Sequence, residues 1–184
     1  MFLKWLKYIQ LNRLSGTSLL SLSLLFLLIS MLLSSCGQEK AKKLAIGDSA
    51  PLFSLQSLDG KTIDLADMKG SPVVLRFFLT DCEYCRADTP VFNDFYTKYS
   101  EQGLNVVYID SLGVETKTVK TFVKELDILF PVAQDREAEV TLKYMVRALP
   151  QTIVLDPELK IKAAILGGVS EQELARLLSP YFTN

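Results

Sequence analysis

The sequence predicts an α/β fold: a central mixed β-sheet flanked by helices on both faces, with an extra N-terminal β-hairpin. Three observations predict it. Short apolar runs rich in branched and aromatic residues alternate with segments whose apolar positions recur at helical spacing. One run, VVLRFFL at 73–79, has the composition of a strand buried on both faces. The last two apolar runs are joined by a turn, Asp156-Pro157-Glu158-Leu159, and therefore pair back on each other.

The domain begins near Ala45. A turn-rich stretch from Ile46 to Pro51 leads into a short strand at 52–55. Asp59-Gly60 is a hairpin turn signal, and 61–65 alternates polar and apolar residues as a half-buried strand does. Lys69-Gly70-Ser71-Pro72 breaks the chain before the central strand at 73–79. A helix then opens at Cys82. Val91, Phe92, Phe95 and Tyr99 form its apolar side, Pro90 is expected to kink it, and Gly103 ends it. A second buried strand follows at 104–109, then a helix at 115–126 with Val119, Phe122, Val123 and Leu126 on one face. A short strand at 129–133 precedes a helix at 136–145. Leu149-Pro150-Gln151-Thr152 leads into a strand at 153–155, and 160–166 returns beside it. Ser170-Glu171-Gln172-Glu173 is a capping box that starts a last helix running through Leu178.

The chain is 49% hydrophobic, unevenly so. Residues 1–35 carry Lys4, Lys7 and Arg13 and no acid, followed by an almost wholly apolar run at 19–33. A basic start, an apolar middle shorter than the roughly 20 residues of a spanning helix, and small residues before a break make a secretory signal. The ending, Leu33-Ser34-Ser35-Cys36, resembles the lipobox of bacterial lipoproteins. That resemblance implies cleavage before Cys36, lipidation of Cys36 and attachment to a membrane outside the cytoplasm, on the periplasmic side of an inner or outer membrane. An uncleaved signal anchor with an incidental cysteine is the alternative. The expected organisation is a signal peptide at 1–35, a lipidated tether at 36–44 and one domain at 45–184.

Beyond the signal, seventeen bases face twenty-one acids, a balance that disfavours nucleic acid as a partner. No histidine is present, which removes His-based triads, His–Cys dyads and imidazole metal sites. Three cysteines are present. With the lipid claiming Cys36, Cys82 and Cys85 remain, too few thiols for a zinc site, so no metal is expected. Outside the cytoplasm such a pair forms a structural disulfide or does disulfide chemistry. If Cys82 opens a helix after a buried strand, its sulfur lies among unpaired backbone N–H groups at the positive end of the helix dipole. A thiolate, the reactive form, is stabilised there.

A strand feeding Cys82-Glu83-Tyr84-Cys85 at a helix start, a later Leu149-Pro150 before a strand, then a hairpin and a helix resemble the thioredoxin-like fold. The extra N-terminal hairpin, the insert before 129 and the lipid anchor look like the TlpA/ResA-like branch. That branch comprises extracytoplasmic thiol-disulfide oxidoreductases related to the AhpC/TSA–redoxin peroxiredoxins. The resemblance covers about 45 to 181 and is specific at CEYCRADTP and ALPQTIVLD. It implies that Cys82 is the nucleophile and Cys85 the resolving thiol, with no cofactor beyond the Cys82–Cys85 disulfide. It implies a cis Leu149–Pro150 bond facing the disulfide, where the backbone before the proline binds the substrate chain; an ordinary trans edge-strand proline is the alternative. Tyr84, beside Cys82, is expected to be exposed and to contact the partner. Asp88 matches an acid that assists proton transfer to or from a thiol; a solvated helix charge is the alternative. The implied partners are disulfide-containing extracytoplasmic proteins, apocytochrome c among them, and a membrane electron donor that restores the dithiol. A monomer is expected.

Three residues depart from the family pattern. Asp81 replaces a usual Trp, Tyr84 a frequent Pro, and Arg76 stands where cytoplasmic thioredoxins bury an acid. Asp81 and Glu83 put negative charge beside the thiolate site, which should raise its pKa and make the couple reducing. Arg76 acts the other way if it points at the pair, and is expected instead to bind an acid at a strand end. Two rival functions remain. One is a peroxiredoxin-like peroxidase, opposed by the missing Pro-x-x-x-Thr-x-x-Cys pattern, since Thr80 stands two residues before Cys82 rather than three. The other is a Cu(I) chaperone using two thiolates.

Overall fold

A computed structural model describes residues 44–182. The signal at 1–35, Cys36 and the tether up to residue 43 lie outside the described residues. Two strands, β1 (Ser54–Gln56) and β2 (Thr62–Asp64), pair antiparallel with Leu55 opposite Ile63. β2 is shorter than its apolar pattern suggests, because Asp64 turns to cap a 3-10 turn at Leu65–Met68 through the Ala66 N–H. The main sheet runs in the order β5-β4-β3-β6-β7. β3 (Val73–Phe78) sits at its centre, parallel to β4 (Asn105–Asp110) and antiparallel to β6 (Gln151–Leu155). β5 (Val132–Gln134) extends the parallel side, and β7 (Ile161–Leu166) pairs antiparallel with β6. Leu58 donates its N–H to Val132 O at 2.9 Å, and Ser57 bridges Ala133, so the hairpin covers the edge that β5 would expose.

The helices are α1 (Glu83–Tyr99), α2 (Thr116–Glu125), α3 (Glu139–Lys143) and α4 (Glu171–Leu178). All six residues of β3 are buried, and their alternation divides the core. Val74 and Phe78 pack with Phe92 of α1, Phe122 of α2 and Leu174 of α4. Val73, Leu75 and Phe77 pack with Ile63, Leu65 and Val140 on the other face. Helices thus cover both faces, three on one side and α3 with the hairpin on the other.

Pro90 lies inside α1 without ending it. A 3-10 turn, Ser100–Gln102, follows, and Gly103 at φ +100° closes the segment. That conformation favours glycine, and a Cβ there would also stand 3.2 Å from Ser71 Oγ, close enough that the serine side chain would have to shift. The helix expected at 136–145 contracts to Glu139–Lys143. The buried Asp135 carboxylate takes the N–H groups of Val140 and Thr141 at 3.2 and 2.7 Å, which fixes a later start. Met145, at φ +54°, ends it early. The strand expected at 129–133 forms instead at 132–134, where β4 offers partners.

Candidate active site

Cys82 is the N-cap residue of α1, in extended conformation, and its Sγ accepts the Cys85 N–H at 3.1 Å. The position expected from sequence is the one observed, with the sulfur facing the helix's free N–H groups. Cys82 is half-buried, Cys85 fully buried, and both are free thiols. Cys82 is therefore partly accessible to solvent and Cys85 is not. Asp81, Glu83 and Tyr84 around them are exposed. The turn entering α1 is braced by Arg86, which donates Nε–H to Thr80 O at 3.2 Å and pairs with Glu125 of α2 at 2.9 Å. Its guanidinium carbon lies 5.2 Å from the centre of the Phe122 ring.

Burial, with the adjacent Cys82 side chain next, pushes the Cys85 thiol from its ordinary value of 9.0 up to about 12. Cys85 thus keeps its proton until a base removes it. The raised value binds a proton more tightly in the folded than in the unfolded chain. The associated stability is intact below pH 9.0 and is lost as pH rises toward 12. Reduced wild type should therefore lose stability over that window faster than Cys85→Ala. Parallel denaturant unfolding curves will check this, and equal slopes would refute it. Tyr108 and Tyr144 are also raised by burial and are present in both proteins; Cys85 is the smallest cause at Tyr108, so their contributions largely cancel in the comparison.

Behind Cys85 the interior is polar. Thr89 donates to Cys85 O at 2.6 Å and its Oγ1 stands 3.3 Å from the Tyr108 hydroxyl. Asp88 is buried rather than solvated, and it pairs with Arg76, which has no exposed surface. Arg76 sits in the middle of β3, so its acid is not at a strand end as the sequence suggested; it comes from α1, packed across that face of the sheet. Burial lifts the Asp88 carboxyl above the usual carboxylate range, while Arg76 and then the Val169 N–H pull it back. Oδ2 takes both of those contacts, and Oδ1 has no hydrogen-bond partner among the described residues.

The Leu149–Pro150 peptide is cis. β6 starts at Gln151 opposite Phe77, which puts Pro150 beside the end of β3 that leads into Cys82. Pro150 is buried and Leu149 half-buried. Pro150 O accepts the Gly167 N–H at 2.8 Å. At the next residue, Gly168, a Cβ would lie 3.6 Å from Tyr84 Cδ1 and 3.9 Å from Asp88 Oδ2. The 167–169 loop therefore joins the proline side of the site to the cysteine helix. Sequence reasoning missed that loop and the centrality of Arg76. The available signal was one charge inside an otherwise apolar six-residue strand. Among the described residues no cluster of His, Cys, Asp and Glu is placed to hold a metal, and no helix is long and apolar enough to cross a membrane.

The sequence profile of the AhpC/TSA family matches residues 46–164. Thiol-disulfide oxidoreductase ResA of Bacillus cereus (strain ZK / E33L) is 37% identical over 133 residues, 72% of this chain and 76% of that protein. Among solved structures, a Chlorobium tepidum chain named as a thiol:disulfide interchange protein DsbE superposes with a TM-score of 0.69 at 27% identity, covering 75% of this chain and 98% of that one. The thioredoxin domain of a thiol-disulfide oxidoreductase from Bacteroides vulgatus gives 0.67 at 26% identity, covering 75% and 98%.

Proposed function

The chain belongs to the AhpC/TSA family and is a thiol-disulfide oxidoreductase of the ResA and DsbE type, and from that premise we propose that Cys82 and Cys85 are its redox couple and that it reduces disulfides of partner proteins outside the cytoplasm. The observation that carries this reading is the pair's geometry: a half-exposed sulfur at a helix N-terminus with a buried thiol directly behind it.

The cycle begins with Cys82 as thiolate attacking one sulfur of a partner disulfide. A Cys82–partner S–S bond forms, the partner's own S–S bond breaks, and the departing sulfur takes a proton. Cys85 then gives up its proton and attacks the Cys82 sulfur. The Cys82–Cys85 bond forms, the mixed disulfide breaks, and the second partner sulfur leaves as a thiolate and is protonated. The partner has gained two electrons and the protein has lost two. A membrane thiol donor supplies two electrons and two protons to regenerate the dithiol. Asp88, one helical turn beyond Cys85 with Oδ1 free, is the group assigned to receive the Cys85 proton. Leu149 and Pro150 supply the backbone against which the partner chain lies, and the exposed Tyr84 contacts it. The protein is placed on a membrane by a lipid on Cys36 after removal of residues 1–35. Support for that step is the basic, apolar, Leu-Ser-Ser-Cys order of the N-terminal sequence.

Reduction rather than oxidation is the direction assigned, because the exposed Asp81 and Glu83 flank the couple with negative charge. The test pairs disulfide-reductase and hydrogen-peroxide turnover on the same preparation with a redox titration. Disulfide turnover should dominate, with a potential well below the roughly −120 mV of a strong oxidant. Dominant peroxide turnover would transfer the assignment to a peroxidase, and a potential near that of strong oxidants would reverse the direction.

A further inference from the structure

An arginine is an unusual occupant for a strand buried along its whole length. Its charge cannot be shed near neutral pH, and a dry charge is costly unless paired and hydrogen-bonded. Strand alternation turns Arg76 to the face shared by Val74 and Phe78, which α1 covers. Its guanidinium carbon lies 5.2 Å from the centre of the Phe92 ring, two turns along α1 from Cys85. Nη2 binds Asp88 of α1, and Nη1 donates to Thr152 Oγ1 of β6 at 2.6 Å and to Gly167 O at 3.0 Å. Asp88 in turn accepts the Val169 N–H at 2.9 Å. One side chain therefore ties the central strand, the strand after the cis proline, the cysteine helix and the 167–169 loop together.

We propose that Arg76 is a positioning residue for the exchange, and that its charge, set against that of Asp88 behind Cys85, determines the reduction potential of the Cys82–Cys85 couple. This role presupposes that the two cysteines are the redox couple. Reducing that disulfide adds two electrons and takes up at most two protons, and any thiolate that persists makes the reduced form more negative than the oxidised. A nearby positive charge then favours the dithiol, and a nearby negative charge favours the disulfide. In the intact pair the two charges oppose each other at the sulfurs. Removing either one leaves the other unopposed.

The experiment equilibrates the full-length chain and its variants with glutathione redox buffers, at about pH 6, well below the ordinary thiol range, and at about pH 8.5, within it. Asp88→Asn should shift the equilibrium toward the dithiol by about tenfold, ~30 mV less negative for a two-electron couple. Arg76→Gln should shift it toward the disulfide by a similar factor, and both shifts should grow at the higher pH. Arg76→Lys, which keeps the charge but not the fork, should stay close to wild type. A merely structural role would move both charge-removing variants the same way, or neither, and either result overturns the proposal. If Arg76→Gln is too unstable to titrate, the double variant Arg76→Met/Asp88→Leu takes its place. It should return the potential to near wild type while Asp88→Asn remains shifted, and a double variant shifted as far as Asp88→Asn would overturn the proposal equally. A protein with no reversible Cys82–Cys85 couple at all would strike the proposed function instead, so the two failures are distinguishable.

Discussion

Cys82→Ser is expected to reduce disulfide-reductase turnover by about three orders of magnitude or more, the scale on which removal of a covalent nucleophile acts. A serine hydroxyl at the N-cap can still accept the Cys85 N–H, so the fold should survive. It is not ionised near neutral pH and does not attack sulfur. Cys85 cannot substitute, because it is fully buried and its thiol is held up to about 12. Cys85→Ser should fail differently. Cys82 still attacks, but nothing resolves the adduct, so the mixed disulfide with the partner accumulates toward one per protein. Non-reducing electrophoresis and intact mass will count that adduct. Retained turnover in Cys82→Ser, or an adduct that forms through Cys85 instead, would reverse the assigned roles.

The second large effect concerns stability. Arg76→Met should cost about 3–5 kcal/mol, since it leaves Asp88 as a buried carboxylate facing no cation. The side chains of Arg76 and Asp88 are 0% and 8% exposed, so solvent cannot take over the missing contact. Thr152 Oγ1 and Gly167 O also lose their donor. The double variant Arg76→Met/Asp88→Leu removes both charges together and should recover most of the loss, as replacement of a whole buried ion pair by apolar residues commonly does. Urea unfolding of the two variants and wild type will measure the recovery. A double variant no more stable than Arg76→Met would mean that the strand needs the guanidinium for its hydrogen bonds to Thr152 and Gly167 rather than as a counterion.

The two effects separate what the pair of cysteines does from what holds it in place, and they were not equally legible. Cys82, Cys85 and the helix they open could be read from the apolar run and the two-residue spacing alone. Ser170 caps α4 where the sequence placed it, its Oγ accepting the Glu173 N–H at 3.2 Å. Misplacements fell where a side chain competed with the backbone pattern. Asp135 delayed α3 by capturing the Val140 and Thr141 N–H groups that the helical spacing had assigned to the helix, and Asp64 cut β2 short by taking the Ala66 N–H into a 3-10 turn. For Asp88 the sequence left two meanings open, and a solvated charge was one of them. Only the packing of α1 onto β3 showed it to be buried against a cation.

By itself, then, the sequence determined the order of strands and helices, the disulfide chemistry open to a chain with no histidine, and the placing of Cys82 at a helix start. Periodicity, caps and turn residues act within a turn or two of the chain, so they survive in the linear pattern. The tertiary structure alone decided the environment behind the couple. Arg76 meets Thr152 and Gly167 across 76 and 91 residues, and Asp88 meets Val169 across 81. Those contacts exist because β3 lies between β4 and β6, and because α1 and α4 cover the face on which Arg76 emerges. Burial is what turns one arginine in an apolar strand into a fixed charge, and burial belongs to the folded sheet rather than to any stretch of the chain.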